Sequence, residues 1–248
     1  MSGHSKWSTI KRQKQATDQV RGQLFTKLAT QIMIAVREGD SADPNSNFRL
    51  RLMIEKARSA NMPKDNIDRA IARASSKGTD AANLSEVAYE GFGPHGVAVL
   101  AVGITDNKQR TSASVKNIFG EYGGNLGGVG SVAYLFERVG EIHVTKTKSA
   151  DQVLDLAVAA NSIDMEEDED RFVIYTDTNN LHEIKSLLEK DLQVIDAEIS
   201  YRPTTSITIT ERETAQKIIH LLSKLEEIDE IHKVYANADI PKEFIGAQ

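Results

Sequence analysis

The stretch RFVIYTDTNNLHEIKSLLEKDLQVIDAEISYRP, residues 171–203, decides how the second half of the chain folds. Its apolar pattern predicts a strand over 171–177, then a helix over 179–191 with apolar residues three and four positions apart. A second strand follows over 194–203, where β-branched residues precede Pro203. A strand, a helix and a strand in this order form half of a split βαβ fold.

The other half of this fold lies directly upstream. Residues 132–145 predict a strand bent or bulged at Gly140, residues 150–161 a helix, and residues 162–165 a short strand. The combined order βαββαβ is the ferredoxin-like pattern. Residues 131–202 therefore predict one complete α/β domain.

The segments on either side of this domain are each incomplete. Residues 81–130 predict two strands joined by a turn at GPHG (93–96), a helix and a glycine-rich stretch. Residues 203–248 predict a strand, a helix and a strand. Because neither segment forms a sheet alone, we predict one split α/β domain built from 81–130 and 203–248, with 131–202 inserted in it.

The first third of the chain has a helical period instead. Leu24, Leu28 and Ile32 lie on one helical stripe, and Pro63 marks the start of a third helix. We predict a flexible basic arm over 1–20 and a three-helix domain over 21–80. The predicted fold class is therefore α+β and multidomain: a basic three-helix domain, then two ferredoxin-like α/β domains, the third inserted in the second.

Charge is distributed unevenly between these parts. The chain has 30 Lys and Arg and 36 Asp and Glu, a formal net charge of -6. Residues 1–80 hold fifteen of the basic and eight of the acidic residues, a net of +7, which leaves −13 for the remainder. A basic part attracts polyanions, while an acidic remainder limits non-specific contact.

The basic segment supplies the first candidate contacts for a nucleic acid. Cations neutralise phosphates and release counterions, and an aromatic side chain can stack on a base. The alternative is a solvated tail that only aids solubility, with the single Trp packed on the helical domain. The candidate residues are His4, Lys6, Trp7, Lys11, Arg12, Lys14, Arg21 and Lys27.

A second set of candidates lies in the split domain. Lys108 and Arg110 stand at a predicted helix N-terminus, where backbone N–H groups favour anions. The alternative is that Thr105 or Asp106 simply caps that helix. In GGNLGGVG (123–130), glycines permit tight turns and close approach to a ligand around Asn125. This stretch lacks the Gly-Lys-Ser/Thr of a phosphate loop.

Composition argues against several other functions. The chain has no cysteine, its six histidines match no zinc motif, and the acidic run MEEDED (165–170) matches no calcium loop. No nucleophile signature is present, so we predict no enzyme activity and no cofactor. Without an apolar run of about 18 residues or a secretory h-region, we expect a cytoplasmic protein with no membrane partner.

Nine short motifs occur in order along nearly the whole chain. They are GHSKW (3–7), RG (21–22), FTKL (25–28), DPNSNFRLR (43–51), NMPKDNIDRAIARA (61–74), YEGFGPHG (89–96), DNKQRT (106–111), GGNLGGVGSVAYLF (123–136) and VYANADI (234–240). In these motifs the chain resembles the YebC family, which includes bacterial YebC proteins and the mitochondrial translational activator of cytochrome c oxidase. The departures are small: family members often have Ala at position 2 and a small residue at position 8, where this chain has Ser2 and Ser8.

The resemblance implies three domains and a non-enzymatic role in gene expression. Family members are widely labelled probable DNA-binding transcriptional regulators, and others resemble translation factors that relieve stalled ribosomes. A mobile basic arm with one aromatic residue suits folded RNA, which is recognised by shape, stacking and backbone contact. We therefore favour RNA and the ribosome as partners, with DNA as the alternative, and keep an enzyme using the glycine-rich loop as a third hypothesis.

Overall fold

The computed structural model describes residues 18–76 and 83–244. The chain folds into two compact units. The smaller unit is Glu137–Arg202, and the larger unit comprises the described residues on either side, up to Phe136 and from Pro203.

Seven α-helices and ten strands lie in the described residues. The helices are α1 (Asp18–Glu38), α2 (Phe48–Ser59), α3 (Lys64–Ser75), α4 (Lys108–Glu121), α5 (Ala150–Ala159), α6 (Leu181–Leu188) and α7 (Arg212–Glu227). The strands are β1 (Ser85–Phe92), β2 (Ala98–Thr105), β3 (Asn125–Leu126), β4 (Phe136–Thr145), β5 (Asp164–Glu167), β6 (Arg171–Thr176), β7 (Val194–Pro203), β8 (Ile207–Thr208), β9 (Ile231–Ala236) and β10 (Ala238–Asp239).

The first three helices pack around an apolar core of their own. Leu28 and Ile32 of α1 meet Leu50 of α2 and Ile67 of α3 in this core. Asn47 fixes the start of α2: its Oδ1 accepts the N–H of Leu50, and its Nδ2 donates to the carbonyls of Ala35 and Ser41. One buried amide therefore caps α2 and ties it to the end of α1.

The larger unit also contains a four-stranded sheet in the order β3-β1-β2-β9. β1 pairs antiparallel with β2 and β3, and β2 pairs antiparallel with β9. α4 and α7 contribute Phe119 and Leu222 to a core shared with Val99 and Val234 of the strands. Strands that precede and strands that follow the smaller unit in the sequence thus form one sheet.

The smaller unit has the βαββαβ order expected from its sequence, and its sheet order is β5-β6-β4-β7. Gly140 pairs with Thr176, and the register between β4 and β6 runs without a shift from Gly140 to Thr145. No bulge therefore interrupts this pairing, while a bend at Gly140 stays a prediction. Glycine is needed there because an added Cβ would lie 2.4 Å from the Oγ1 atom of Thr176.

The predicted α+β fold class is confirmed. The predicted strand over 132–145 begins later than expected, at Phe136, because Ala133–Leu135 form a 3-10 turn. No helix within 18–76 or 83–244 is both long and apolar enough to cross a membrane.

Candidate nucleic-acid interface

Most of the predicted arm contacts fall outside the residues that the structure describes. These are His4, Lys6, Trp7, Lys11, Arg12 and Lys14, and their role stays a prediction. The two candidates that are described, Arg21 and Lys27, both belong to α1. Arg21 is exposed, whereas Lys27 is half-buried.

Lys27 already makes a contact inside the larger unit. Its Nζ donates a hydrogen bond to the backbone carbonyl of Glu226, in the last turn of α7. The final carbonyls of a helix lack intrahelical partners and carry partial negative charge, so a lysine there is stabilising. Lys27 therefore joins α1 to the C-terminal end of α7.

Three other cations of the helical domain are exposed and unpaired. Arg58, Lys64 and Arg69 are exposed, and none forms an ion pair with any residue of 18–76 or 83–244. Arg58 and Lys64 flank the turn between α2 and α3, in which Asn61 has a positive φ of 59°. The structure thus leaves three exposed cations without ion pairs to described residues, on the last turn of α2 and the first two turns of α3. The sequence showed these residues as part of a basic domain but did not single them out.

The candidates in the split domain, Lys108 and Arg110, differ from these three cations in their charged neighbours. Arg110 pairs with Asp106 and with Glu230, both at 2.7 Å, and its hydrogen bond to Glu230 is the main cause of its raised pKa. Lys108 is exposed, and its backbone carbonyl accepts a hydrogen bond from the hydroxyl of Tyr89. Arg110 is therefore less available to a phosphate than Arg58, Lys64 or Arg69.

The residue that caps the N-terminus of α4 is neither Thr105 nor Asp106. Asn107 is the N-cap residue, and its Oδ1 accepts the N–H of Arg110 at 3.0 Å. Thr105 supports it, because its Oγ1 accepts the N–H of Asn107. The prediction of Thr105 or Asp106 as the cap is wrong: Asp106 pairs with Arg110 instead.

Asn125 is exposed on β3, beside close backbone contacts. An added Cβ at Gly91 would lie 2.6 Å from the carbonyl oxygen of Asn125, and one at Gly124 would lie 2.5 Å from that of Phe92. These glycines therefore let β3 approach β1. The space that Gly91 and Gly124 leave open is therefore occupied by the protein's own backbone.

The glycine-rich loop is held by a carboxylate of the protein. Glu90 is only 5% exposed, and its Oε1 accepts the N–H of Gly130 at 2.7 Å. Its Oε2 accepts the N–H groups of Val132 and Ala133 at 2.8 and 2.7 Å. Burial alone would raise the pKa of Glu90, but the three backbone hydrogen bonds outweigh it and lower the pKa.

This arrangement has two consequences for the loop. The N–H groups of Gly130, Val132 and Ala133, which could have bound an anion, are occupied by Glu90. The same bonds fix a stretch in which two apolar side chains face solvent, because Val129 is 100% and Tyr134 71% exposed. No sequence signal marks Glu90, which occupies an ordinary polar position in strand β1.

The acidic run 165–170 is engaged in the sheet of the smaller unit. Glu166 accepts a hydrogen bond from the hydroxyl of Tyr175 and pairs with Arg202 at 2.8 Å, and Glu167 pairs with Lys146 at 2.7 Å. Within the described ranges, no group of three or more His, Cys, Asp or Glu side chains could hold a metal ion.

Together, the fold and these sites define a class of protein: a basic three-helix domain precedes a split α/β domain that carries a ferredoxin-like insert. A family model described as the TACO1/YebC protein N-terminal domain matches residues 5–77. A second, described as the TACO1/YebC second and third domain, matches residues 84–238. The chain belongs to the TACO1/YebC family.

Similar proteins cover the whole chain. A protein of Thermomicrobium roseum named "Probable transcriptional regulatory protein" is 45% identical over 249 residues, covering 100% of both chains. A protein of Aquifex aeolicus with the same name is 42% identical, covering 99% of this chain and 98% of its own. The crystal structure of a conserved hypothetical protein from Aquifex aeolicus superposes with a TM-score of 0.83 at 42% identity, covering 91% of this chain and 93% of that one.

Proposed function

We propose that this protein is a non-enzymatic regulator of gene expression that binds RNA on the ribosome through its helical domain and the basic segment before it. The observation that carries the proposal is the exposed, unpaired state of Arg58, Lys64 and Arg69 among the described residues. Cations in this state can pair with phosphates without first breaking an ion pair, and they gain entropy from counterion release. The proposed role requires no cofactor.

Residues of α3 favour RNA over the major groove of DNA. Asp65 and Asp68 are exposed on this helix beside Lys64 and Arg69. A recognition helix lying in the major groove comes close to phosphates on both sides, and two carboxylates there would be repelled. Folded RNA is recognised by shape and backbone, so its phosphates can contact Arg58, Lys64 and Arg69 without the whole length of α3 lying in a groove.

The experiment is a measurement of affinity for a structured ribosomal RNA fragment as a function of salt concentration. The test variant carries Arg58→Gln, Lys64→Gln and Arg69→Gln. The control variant carries Lys116→Gln, Lys148→Gln and Lys190→Gln, which removes three exposed lysines without ion pairs to described residues, outside the helical domain. The two variants have the same net charge.

We expect the test variant to bind more weakly and to lower the slope of log affinity against log salt by about 2 to 3, since each lost phosphate contact accounts for about 0.7 to 0.9. The control variant should keep the wild-type slope. Equal slopes for all three proteins would overturn the proposal.

DNA is the second candidate, because the relatives are named probable transcriptional regulatory proteins. Competition distinguishes the two partners. If duplex DNA containing promoter sequences displaces the RNA fragment at lower concentration than unlabelled RNA does, and does so with sequence preference, the DNA-binding function replaces the RNA-binding one.

A further inference from the structure

A groove with an apolar floor lies between α1 and α3 of the helical domain. It has a volume of about 210 Å³. Phe25 and Met33 of α1 meet Met62, just before α3, on its floor, and Arg69 and Arg73 of α3 line it at positions four residues apart. Apolar surface next to two guanidinium groups is suited to a ligand that has both a flat apolar part and negative charge.

A polar side chain in the same groove has unused hydrogen-bonding capacity. Asn66 is half-buried in its lining, and its side-chain amide makes no hydrogen bond to any described residue. A carboxamide can donate and accept at once, which matches the edge of a nucleobase. Arg69, exposed and without an ion pair in the described ranges, stands one helical turn beyond Asn66.

We infer that this groove binds one unstacked base of a single-stranded RNA segment. The base would contact the ring of Phe25 and the side chains of Met33 and Met62, and Asn66 would bond its edge. Arg69 would hold the adjoining phosphate. The inference rests on the proposed function, which it deepens by assigning a base-binding site to a domain otherwise argued to contact only phosphates.

The dimensions of the groove favour a base over a peptide. A helical peptide inserts several side chains, spaced over two turns, into a long apolar groove, and 210 Å³ is small for that purpose. An extended peptide needs an open strand edge for its backbone, but both walls are helices whose backbone groups are bonded internally. One planar ring flanked by phosphates meets both limits.

The test compares two strands of equal length and charge. One is a single-stranded uridine 12-mer, and the other carries a stable abasic residue at every position. Wild type should bind the uridine strand about tenfold more tightly, because stacking of a base on an aromatic ring has this magnitude. Phe25→Leu keeps an apolar side chain against the core; it should lose most of this preference while its affinity for the abasic strand stays unchanged.

Arg69→Gln and Lys116→Gln complete the design. Arg69→Gln should weaken binding of both strands by the same factor, since it removes a phosphate contact, and Lys116→Gln should leave both unchanged. Methyl signals of Met33 and Met62 in the wild type provide a second readout that needs no variant. They should shift with the uridine strand and not with the abasic one.

The outcomes separate this inference from the proposed function. If the wild type binds both strands equally, or if Phe25→Leu keeps the preference, the base site is wrong and phosphate binding stands. If the wild type binds neither strand nor the structured RNA fragment, the proposed function is wrong as well. Methyl shifts caused by an acidic amphipathic peptide and not by RNA would assign the groove to a protein partner and overturn the inference.

Discussion

The Oε1 atom of Glu90 accepts a hydrogen bond from the backbone N–H of Gly130 at 2.7 Å, which joins the middle of β1 to the glycine-rich loop. Two more N–H groups, of Val132 and Ala133, bond the other carboxylate oxygen. The Glu90 carboxylate therefore holds the loop in place. It occupies the position that a phosphate occupies in many glycine-rich loops.

Glu90→Gln should lower the free energy of unfolding by about 1 to 3 kcal/mol, because an amide cannot accept three charge-assisted hydrogen bonds and its NH₂ group would face N–H donors. Urea denaturation measures the loss, and hydrogen exchange at Gly130, Val132 and Ala133 locates it. Glu121→Gln, at an exposed position of α4, is the control. Unchanged exchange at the three amides would contradict this account of the loop.

Lys27→Met should affect stability more than RNA binding. The variant keeps most of the apolar stem but loses the hydrogen bond to the carbonyl of Glu226, at an expected cost of about 1 kcal/mol. If Lys27 contacts RNA instead, as the sequence predicted, the salt dependence of binding will flatten while the unfolding free energy stays at the wild-type value.

His232 predicts a loss of stability in acid. Burial is the main reason that its pKa falls to about 3, and Lys27 and Lys56 add to the effect. Its Nε2 is buried without a hydrogen-bond partner among the described residues, and its Nδ1 lies 2.9 Å from Nε2 of Gln31. Since the unfolded chain takes up this proton near pH 6.5 and the folded chain only near pH 3, stability should fall as the pH is lowered between these values.

The measurement is urea denaturation of the full chain at pH 7 and pH 5. Amide exchange in β9, measured at the same two pH values, reports on the larger unit. His232→Gln removes the titrating group, so its stability should change less between the two pH values than that of the wild type. A variant that loses as much stability as the wild type would show that other groups cause the acid dependence.

His143 predicts the opposite dependence in the smaller unit. This side chain is 4% exposed, its Nδ1 bonds Asp196, and its Nε2 lies 3.5 Å from Glu141. Burial and the nearby Arg171 lower its pKa, but the two carboxylates outweigh them and raise it. A raised pKa stabilises the fold below about pH 6.5, and this contribution is lost as the pH rises through the folded-state pKa.

Exchange of amides in β6, measured at pH 6.5 and pH 9 after correction for intrinsic rates, tests this prediction. Wild type should lose protection at the higher pH. In His143→Gln, the amides of β6 should be less protected at pH 6.5 than in the wild type, and their protection should change little between pH 6.5 and pH 9. Equal pH dependence of the two proteins would exclude His143 as the cause.

The elements that the sequence predicted well are those with a clear periodicity of apolar residues. The helix expected over 150–161 is observed over Ala150–Ala159, and the strand over 194–203 matches its predicted bounds. Short elements such as β3 and β10 were missed, because two residues have no period, and their pairing depends on distant strands. The turn at GPHG was expected, and His95 and Gly96 there have positive φ angles of 61° and 73°.

The candidate site was harder to predict because charge in a sequence does not reveal pairing. Arg110 and Arg69 are both exposed arginines on helices, yet Glu230, 120 residues away, pairs with one and no described carboxylate pairs with the other. Likewise, Glu90 is one of two glutamates in the sequence of β1, and only the folded chain brings the glycine-rich loop onto it. Such long-range partners are set by topology.

Sedimentation of a cell lysate through a sucrose gradient at moderate salt tests the central claim most directly. Four proteins are compared: wild type, a chain lacking residues 1–20, the Arg58, Lys64 and Arg69 variant, and the Lys116, Lys148 and Lys190 control. We predict that wild type and the control travel with ribosomal particles and that the other two stay at the top. If wild type stays at the top, or if both the truncated chain and the helical-domain variant travel with the particles as it does, the proposed function is contradicted.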